Sequence, residues 1–209
     1  TVIMCLLAYE SQRVHKMKYT TCSFLSLILF LALNLEAEIG NGLWRKFDYT
    51  DGFNGINTFN IYETRDGRMW FGTMNGLYVY DGQTFKNYTQ LDGLPNNNVR
   101  GIYQTRDGKI WLGTMGGLVV FDGHTFETIQ AKYVGVWAFH QTDDGNLWIT
   151  TNDGFCMYDG QQFHHYPIQK DGQSLGTIEV VEDNVGVLWF ASITGGVIKY
   201  DGHTTTIYD

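Results

Sequence analysis

The sequence is poor in basic residues and in cysteine, and both shortages narrow what the protein can do. Its 209 residues include 14 Lys and Arg against 22 Asp and Glu. No run of basic residues is long enough to follow a phosphate backbone, so we expect no nucleic-acid partner. Beyond residue 38 the only cysteine is Cys156. That part of the chain therefore cannot form an intrachain disulfide and must rely on its core.

Long hydrophobic runs are also scarce. The apolar run Phe24–Leu35 is too short to span a bilayer readily, and it follows Met17-Lys18 and ends in the small-residue sequence LEA. This pattern is typical of a secretory signal peptide, which we assign to residues 17–37. A buried or membrane-anchoring helix is the alternative. We interpret residues 1–16 as an upstream extension, and we expect no membrane span after the signal peptide.

From residue 38 onward no apolar periodicity of helical type persists, and one unit is written four times instead. Each copy has an Asp-Gly turn signal, degraded to Val185-Gly186 in the fourth copy. A Trp follows, then Thr or Ser three residues later, then Gly, and finally an aromatic-Asp-Gly sequence. The four tryptophans are Trp70, Trp111, Trp148 and Trp189.

Each unit predicts four short antiparallel strands, because Asp-Gly between apolar runs favours a hairpin turn. In the second copy the strands are expected at 97–105, 109–114, 118–121 and 124–129. Four-stranded units at this period predict an all-β fold, a β-propeller with about four blades, either partial or small. The blades are expected at about 56–89, 97–129, 134–166 and 177–209, with the tryptophans packed between them. Residues 43–50 are expected to form an extra outer strand.

The repeat resembles the two-component regulator propeller repeat. The resemblance is carried by DGRMWFGTMNGLYVYDGQTFKNYTQLDGLPNNNV at 66–99 and its echoes, and it covers about residues 43–209. It implies the periplasmic sensor region of a hybrid two-component system, of the kind found in gut Bacteroidetes, many of which sense glycans. Members normally continue through more blades to a membrane helix, a histidine kinase and a DNA-binding regulator.

This sequence departs from that pattern. It has four repeats and no kinase or receiver motif, and the inter-blade sequence DGLPNNNV is lost after the second unit. The expectation is a periplasmic or secreted, ligand-binding propeller that senses glycans and is a truncated or partial receptor. Further blades, or a second copy of the chain, are the expected protein partners. A free-standing secreted scaffold for protein interactions is the alternative, and a propeller lyase is a weaker one.

A ligand site is expected where the repeat varies at the axial end of the innermost strands. Phe59, Arg100, Trp137 and Ile178 align at the variable position, whereas the position of Ile61, Ile102, Phe139 and Val180 is uniformly apolar and is predicted to be core. An aromatic face with Arg and Asn donors suits sugars or acidic sugars. The alternative is that Trp137 packs between blades and the asparagines only tolerate tight turns. The candidate ligand-binding residues are Phe59, Asn75, Asn96, Asn97, Asn98, Arg100, Trp137, Asn152 and Asp153.

Catalytic and metal-binding constellations are weak. His164 and His165 are neighbours on a predicted strand and so point to opposite faces. A lyase would need a His and an acidic residue at the axial mouth, where His140 and Glu179 are the only candidates and their spacing suggests no pair. We therefore expect a protein that is not an enzyme, with no metal and no cofactor.

Overall fold

The structure is a computed structural model that describes residues 45–130, 135–194 and 196–208. The predicted signal peptide and upstream extension lie outside these residues. The chain divides into two compact units. The first unit ends at Asp51, and the second begins at Gly52. In the first unit, Tyr49–Asp51 is a 3-10 helix, and no strand is found over 45–50, so the predicted outer strand is wrong there. The cause is local: Asp51 Oδ2 accepts the backbone N–H of Asp48, and Asp48 Oδ1 accepts that of Thr50.

The second unit contains four antiparallel sheets of four strands, each in sequence order, which we call blades 1 to 4. A two-stranded hairpin separates blades 3 and 4, and a 3-10 helix at Gln90–Asp92 follows blade 1. The predicted all-β fold with four-stranded blades is confirmed. The strands are β1 Asn60–Glu63, β2 Met69–Thr73, β3 Gly76–Tyr80 and β4 Phe85–Tyr88 in blade 1; β5 Val99–Gln104, β6 Ile110–Thr114, β7 Gly117–Phe121 and β8 Phe126–Gln130 in blade 2; β9 Phe139–Gln141, β10 Leu147–Thr151, β11 Gly154–Tyr158 and β12 Phe163–Pro167 in blade 3; β13 Gln169–Lys170 and β14 Gln173–Ser174 in the hairpin; and β15 Thr177–Glu182, β16 Leu188–Ser192, β17 Val197–Tyr200 and β18 Thr205–Tyr208 in blade 4.

The Asp-Gly turns work as their chemistry predicts. At the turn between β7 and β8, Gly123 has φ of 103°, which only glycine adopts without strain. Asp122 Oδ1 accepts the backbone N–H groups of His124 at 2.7 Å and Thr125 at 2.8 Å. The carboxylate thus closes the turn, and these hydrogen bonds lower the pKa of Asp122.

The core is divided among the three blade junctions. Each of the first three tryptophans packs against an aromatic ring at the end of the third strand of the next blade: Trp70 on Phe121 at 5.6 Å, Trp111 on Tyr158 at 5.3 Å, and Trp148 on Tyr200 at 5.4 Å between ring centres. All three are buried. These three tryptophans therefore join blades, as the sequence predicted, whereas the fourth, Trp189, packs on Tyr208 of its own blade.

The two ends of the blade series differ from its middle. Ile102, Phe139 and Val180 are buried, but Ile61 is 47% exposed. The prediction of a uniform core position is therefore wrong at Ile61. Ile102 is covered by blade 1, whereas no four-stranded sheet precedes blade 1 in the described residues. In blade 4 the outer face carries Trp189, whose Nε1 donates to Asp183 Oδ2 at 2.9 Å.

Candidate functional site at the axial end of the first strands

The first strands of successive blades contact one another and bring the variable position of the repeat together. Arg100 lies in β5, with Phe59 just before β1 and Trp137 just before β9. The guanidinium carbon of Arg100 is 4.6 Å from the ring centre of Phe59 and 3.9 Å from that of Trp137. A cation held between two aromatic faces is stabilised by both ring quadrupoles. Three of the predicted site residues therefore form one cluster, which we call the axial cluster.

A β-bulge directs Arg100 to this place. Val99 pairs with Thr114 and Gly101 pairs with Gly113, so the register shifts across Arg100 and leaves it without a partner residue in β6. A bulge of this kind re-aims the side chain of the extra residue. The same shift between Thr177 and Glu179 in β15 releases Ile178, which is 37% exposed.

The guanidinium of Arg100 is oriented but not neutralised. Its Nε donates to Asn98 Oδ1 at 3.0 Å, and among the described residues no carboxylate forms an ion pair with it. Partial burial lowers the pKa of Arg100, yet an arginine remains charged at neutral pH. The cluster thus presents a half-buried positive charge to whatever enters the axial end.

Trp137 is fixed by its neighbours. Its Nε1 lies 3.4 Å from Asn152 Oδ1, and a side chain at Gly101 would place its Cβ only 2.6 Å from the Trp137 carbonyl oxygen. The glycine therefore lets the backbone of Trp137 approach β5, which sets the stacking distance to Arg100. Asn98 and Asn152 accordingly belong to the cluster as the partners of its two larger side chains.

The other predicted residues are used within their own loops. Asn75 Oδ1 accepts the backbone N–H of Ile56 at 2.7 Å, and its Nδ2 donates to the carbonyl of Asn54 at 2.8 Å. Asn96 Oδ1 accepts the N–H of Asn98, and Asn97 Oδ1 that of Gln90, both at 2.8 Å.

Asp153 is engaged in the same way. Its Oδ1 lies 3.1 Å from both Thr151 Oγ1 and His165 Nε2. Asn75, Asn96, Asn97 and Asp153 therefore shape the loops around the axial end, and their contact with a ligand stays a prediction.

Exposed apolar side chains on the same rim were missed by the sequence reasoning. Met74 is 49% and Ile193 46% exposed, and each stands four residues after the Trp of its blade. Ile56, 54% exposed, lies beside Met74, since the N–H of Met74 donates to the Ile56 carbonyl. The equal offset from the Trp was the signal that could have found Met74 and Ile193.

His140 and Glu179, the two candidates for a lyase, are not paired with each other. His140 Nε2 is 2.8 Å from Glu182 Oε2, whereas Glu179 Oε1 accepts the N–H of Val180. The two residues considered for a lyase thus have separate partners. His164 is paired with Asp159. Among the residues that the structure describes, no cluster of His, Cys, Asp or Glu is placed to bind a metal ion.

The fold and the axial cluster define a class: β-propeller blades with a charged and aromatic cluster at one end of their first strands. Residues 52–75, 93–116 and 132–153 match the family described as two component regulator propeller. These three segments of the chain are thus similar to the repeat of that family, as the sequence resemblance indicated.

Relatives and solved structures agree with this assignment. The chain is 37% identical over 62 residues to histidine kinase P4 of Formosa agariphila, covering 30% of this chain and 4% of the kinase. The extracellular domain of a hybrid two-component system of B. thetaiotaomicron has a TM-score of 0.63 and 25% identity, covering 77% of this chain and 22% of that one. This chain thus spans a small part of both proteins.

A more distant likeness concerns the fold alone. An inactive virginiamycin B lyase of Staphylococcus aureus has a TM-score of 0.61 at 18% identity, covering 75% of this chain and 57% of the lyase. Within the described residues, neither 3-10 helix approaches the length and apolar character that a membrane-spanning helix requires.

Proposed function

We propose that this chain is a ligand-binding part of an exported two-component sensor, in the periplasm or outside the cell, and that the axial cluster binds a glycan carrying a carboxylate or sulfate. One observation carries the proposal: Arg100 is held between Phe59 and Trp137 with its charge unpaired by any described carboxylate. Aromatic faces bind the apolar faces of sugar rings, and a guanidinium binds carboxylate or sulfate through a fork of donors. The extracellular two-component domain among the similar structures supports the sensor role.

We propose binding without catalysis. A lyase would need a base and an acid that converge on the bound ligand. In this chain His140 is paired with Glu182, and Glu179 accepts the backbone N–H of Val180, so each of the two candidate groups has a partner outside the axial cluster.

The test is a titration by calorimetry with oligosaccharides of uronic acids and with neutral oligosaccharides of equal length. The acidic ligands are expected to bind more tightly, and their affinity to fall with rising salt. Arg100→Ala should weaken binding of the acidic ligand by about tenfold or more, because a charge-assisted fork is lost. Trp137→Ala should weaken acidic and neutral ligands alike.

Arg68→Ala is the matched control. The guanidinium carbon of Arg68 also lies near a tryptophan, at 5.8 Å from the ring centre of Trp70. However, Arg68 stands beside the Asp-Gly turn, at the other end of its blade from the axial cluster. Its binding should equal that of the wild type. Unchanged glycan binding in the Arg100→Ala/Trp137→Ala double variant would refute the proposed site.

A further inference from the structure

Two asparagines of the described chain are followed directly by glycine, and both belong to loops at the axial end of blade 1. Asn54-Gly55 lies in the segment before β1, and Asn75 precedes Gly76, the first residue of β3. The asparagine amide is thermally labile. A following glycine leaves the backbone nitrogen least hindered, because it has no side chain. The two steps share this local chemistry, so a difference between them must come from the fold.

The amide of Asn75 is held at both of its ends. Its Oδ1 accepts the backbone N–H of Ile56 at 2.7 Å and lies 3.0 Å from Thr73 Oγ1. Its Nδ2 donates to the backbone carbonyl of Asn54 at 2.8 Å. Gly76, the residue after it, pairs with Thr73 in the β2–β3 ladder. The amide of Asn75 would therefore have to leave several partners before it could react with the backbone of Gly76.

Asn54 has none of these restraints. It is exposed, and no group in the described ranges forms a hydrogen bond with its side-chain amide. The backbone N–H of Gly55 likewise has no acceptor among the residues that the structure describes. The amide carbon of Asn54 and the nitrogen of Gly55 are thus both free to meet.

Packing requires a glycine after Asn54. A Cβ at Gly55 would lie 2.6 Å from the ring atom Cζ of Phe53 and 2.9 Å from Cγ2 of Thr73. Phe53 is 8% exposed, and its ring centre is 4.9 Å from that of Tyr78. The contacts that bury Phe53 against blade 1 therefore keep an Asn-Gly step in an exposed loop.

We propose that Asn54 is a site of spontaneous deamidation, with water as the co-reactant. The backbone nitrogen of Gly55 loses its proton to solvent and attacks Cγ of Asn54. A carbon–nitrogen bond forms, the bond from Cγ to the amide nitrogen breaks, and that nitrogen takes up a proton and leaves as ammonia. Water then opens the cyclic imide at either carbonyl, which leaves aspartate or isoaspartate at residue 54.

The product changes the loop in charge and in length. Either form adds a carboxylate at the axial end of blade 1. Isoaspartate also inserts a methylene carbon into the main chain before Gly55, so Asn75 cannot keep its hydrogen bonds to both the carbonyl of residue 54 and the N–H of Ile56. The loop before β1 is then released from the β2–β3 turn. This consequence follows from the backbone alone and does not depend on the proposed glycan.

The experiment is peptide mass spectrometry of the full chain, kept folded at mildly alkaline pH and digested with trypsin after increasing times. Cleavage after Lys and Arg places the two asparagines in separate peptides, 47–65 and 69–86, and fragment ions assign the reacted residue. Asn54 is expected to deamidate about tenfold faster than Asn75 or more, because the Asn75 amide must first give up its hydrogen bonds. In guanidinium chloride, where the fold is absent, the two rates should become similar.

Asn54→Gln is the matched control, because its longer side chain would have to close a larger ring. The variant should show no deamidation at residue 54 and should keep its thermal unfolding midpoint during the incubation. The isoaspartate form of the wild type, separated by ion exchange, should unfold at a lower temperature than the unreacted protein.

Three results would each overturn the proposal. The first is a folded chain in which Asn54 stays intact while the unfolded chain reacts. The second is an equal rate at Asn54 and Asn75 in the folded chain, which would mean that the hydrogen bonds of Asn75 give no protection. The third is an isoaspartate form as stable as the unreacted protein.

Discussion

Arg100 depends on the residue that follows it in the chain. Gly101 has no Cβ, so the carbonyl of Trp137 can lie against β5, and the bulge across Arg100 turns its side chain toward the ring of Trp137. The position equivalent to Gly101 carries Asn60 in blade 1 and Ala138 in blade 3. The glycine is therefore a local requirement of the junction between blades 2 and 3 and not a property of the whole repeat.

Gly101→Ala should destabilise the protein by about 1–3 kcal/mol, because the new Cβ would overlap the backbone of Trp137 and the ring of Phe139. It should also separate Trp137 from Arg100. The free energy of unfolding in urea and the affinity for the acidic glycan measure the two effects. Ala138→Gly, at the equivalent place in blade 3, should cost only about 0.5–1 kcal/mol, from chain entropy. A Gly101→Ala variant as stable as the wild type would contradict this account of the close approach.

At the scale of the strands, the repeated tryptophan occurs in two different environments. Trp111 is 5% exposed and packs on Tyr158 of the next blade, whereas Trp189 is half-buried on the outer face of blade 4 and stacks on Tyr208 of its own blade. The difference arises because blade 4 has no described sheet on that face.

Trp111→Ala should lower the free energy of unfolding by about 3–5 kcal/mol, since it empties the core between blades 2 and 3. Trp189→Ala, the same change at the equivalent position, should have a clearly smaller effect because its side chain is only partly removed from water. Chemical denaturation of the two variants side by side gives the comparison. Equal losses would mean that Trp189 is covered as fully as Trp111.

A second prediction at this scale concerns Arg65, whose guanidinium donates to the carbonyl oxygens of Thr105 at 2.7 Å and Arg106 at 3.1 Å in blade 2. Arg65→Ala removes two hydrogen bonds from a guanidinium to the carbonyls of blade 2 and should cost about 1–2 kcal/mol, given the exposure of the site. Arg65→Lys should restore only part of the loss, because an ammonium lacks the planar fork. Thermal unfolding midpoints of the variants test this prediction. If Arg65→Lys were as stable as the wild type, the planar fork of the guanidinium would not be what joins the two blades.

Much of the strand layout could be predicted from the sequence, because Asp-Gly turns and a repeated Trp leave few other arrangements. The hairpin β13–β14 was missed, since its strands have two residues each, although Asp171-Gly172 supplies the turn with φ of 53° and 76°. The sequence also did not predict the hydrogen bonds that the side chains of Asn75 and Asp153 form within their own loops. A sequence shows that an asparagine can bind a sugar, but only the structure shows that its atoms already satisfy a loop.

The sequence predicted which residues belong to the axial cluster but not their geometry. The alignment placed Phe59, Arg100 and Trp137 at one repeat position. It therefore predicted where they lie along their strands but not how their side chains are arranged. That Arg100 would lie between the two rings depended on the bulge in β5 and on Gly101, and neither has a distinctive sequence signal.

For the whole molecule, the carboxylates of the Asp-Gly turns contribute to the response to acid. Hydrogen bonds from Arg68 and Thr64 lower the pKa of Asp66 to about 2, and backbone N–H groups of Thr204 and His203 lower that of Asp201 to about 2. Hydrogen bonding to the backbone also lowers the pKa values of Asp81, Asp122 and Asp159. Since the folded-state values lie below the ordinary 3.8, their stabilisation is complete above about pH 4 and is lost as the pH falls toward 2.

The thermal unfolding midpoint should therefore stay level from pH 7 to about pH 5 with respect to these groups, and fall steeply between about pH 4 and pH 2. The double variant Asp66→Asn/Asp201→Asn should show a shallower fall, because neither amide titrates and Asn-Gly still suits the turns. Calorimetric scans across this pH range measure both slopes. Identical slopes would show that other groups govern the acid response.

The division of the core among the junctions has a consequence for how the molecule comes apart. In the part of the chain that the structure describes, each of the three apolar clusters joins one pair of neighbouring blades, and none of them spans three. Stability is then the sum of four sheets and three couplings, as in a linear array of interacting units. Among the four described blades taken by themselves, blades 2 and 3, coupled on both faces, should hold their amide hydrogens longest, while blades 1 and 4 exchange first. Opening can therefore spread inward from an end without passing through a single all-or-none event.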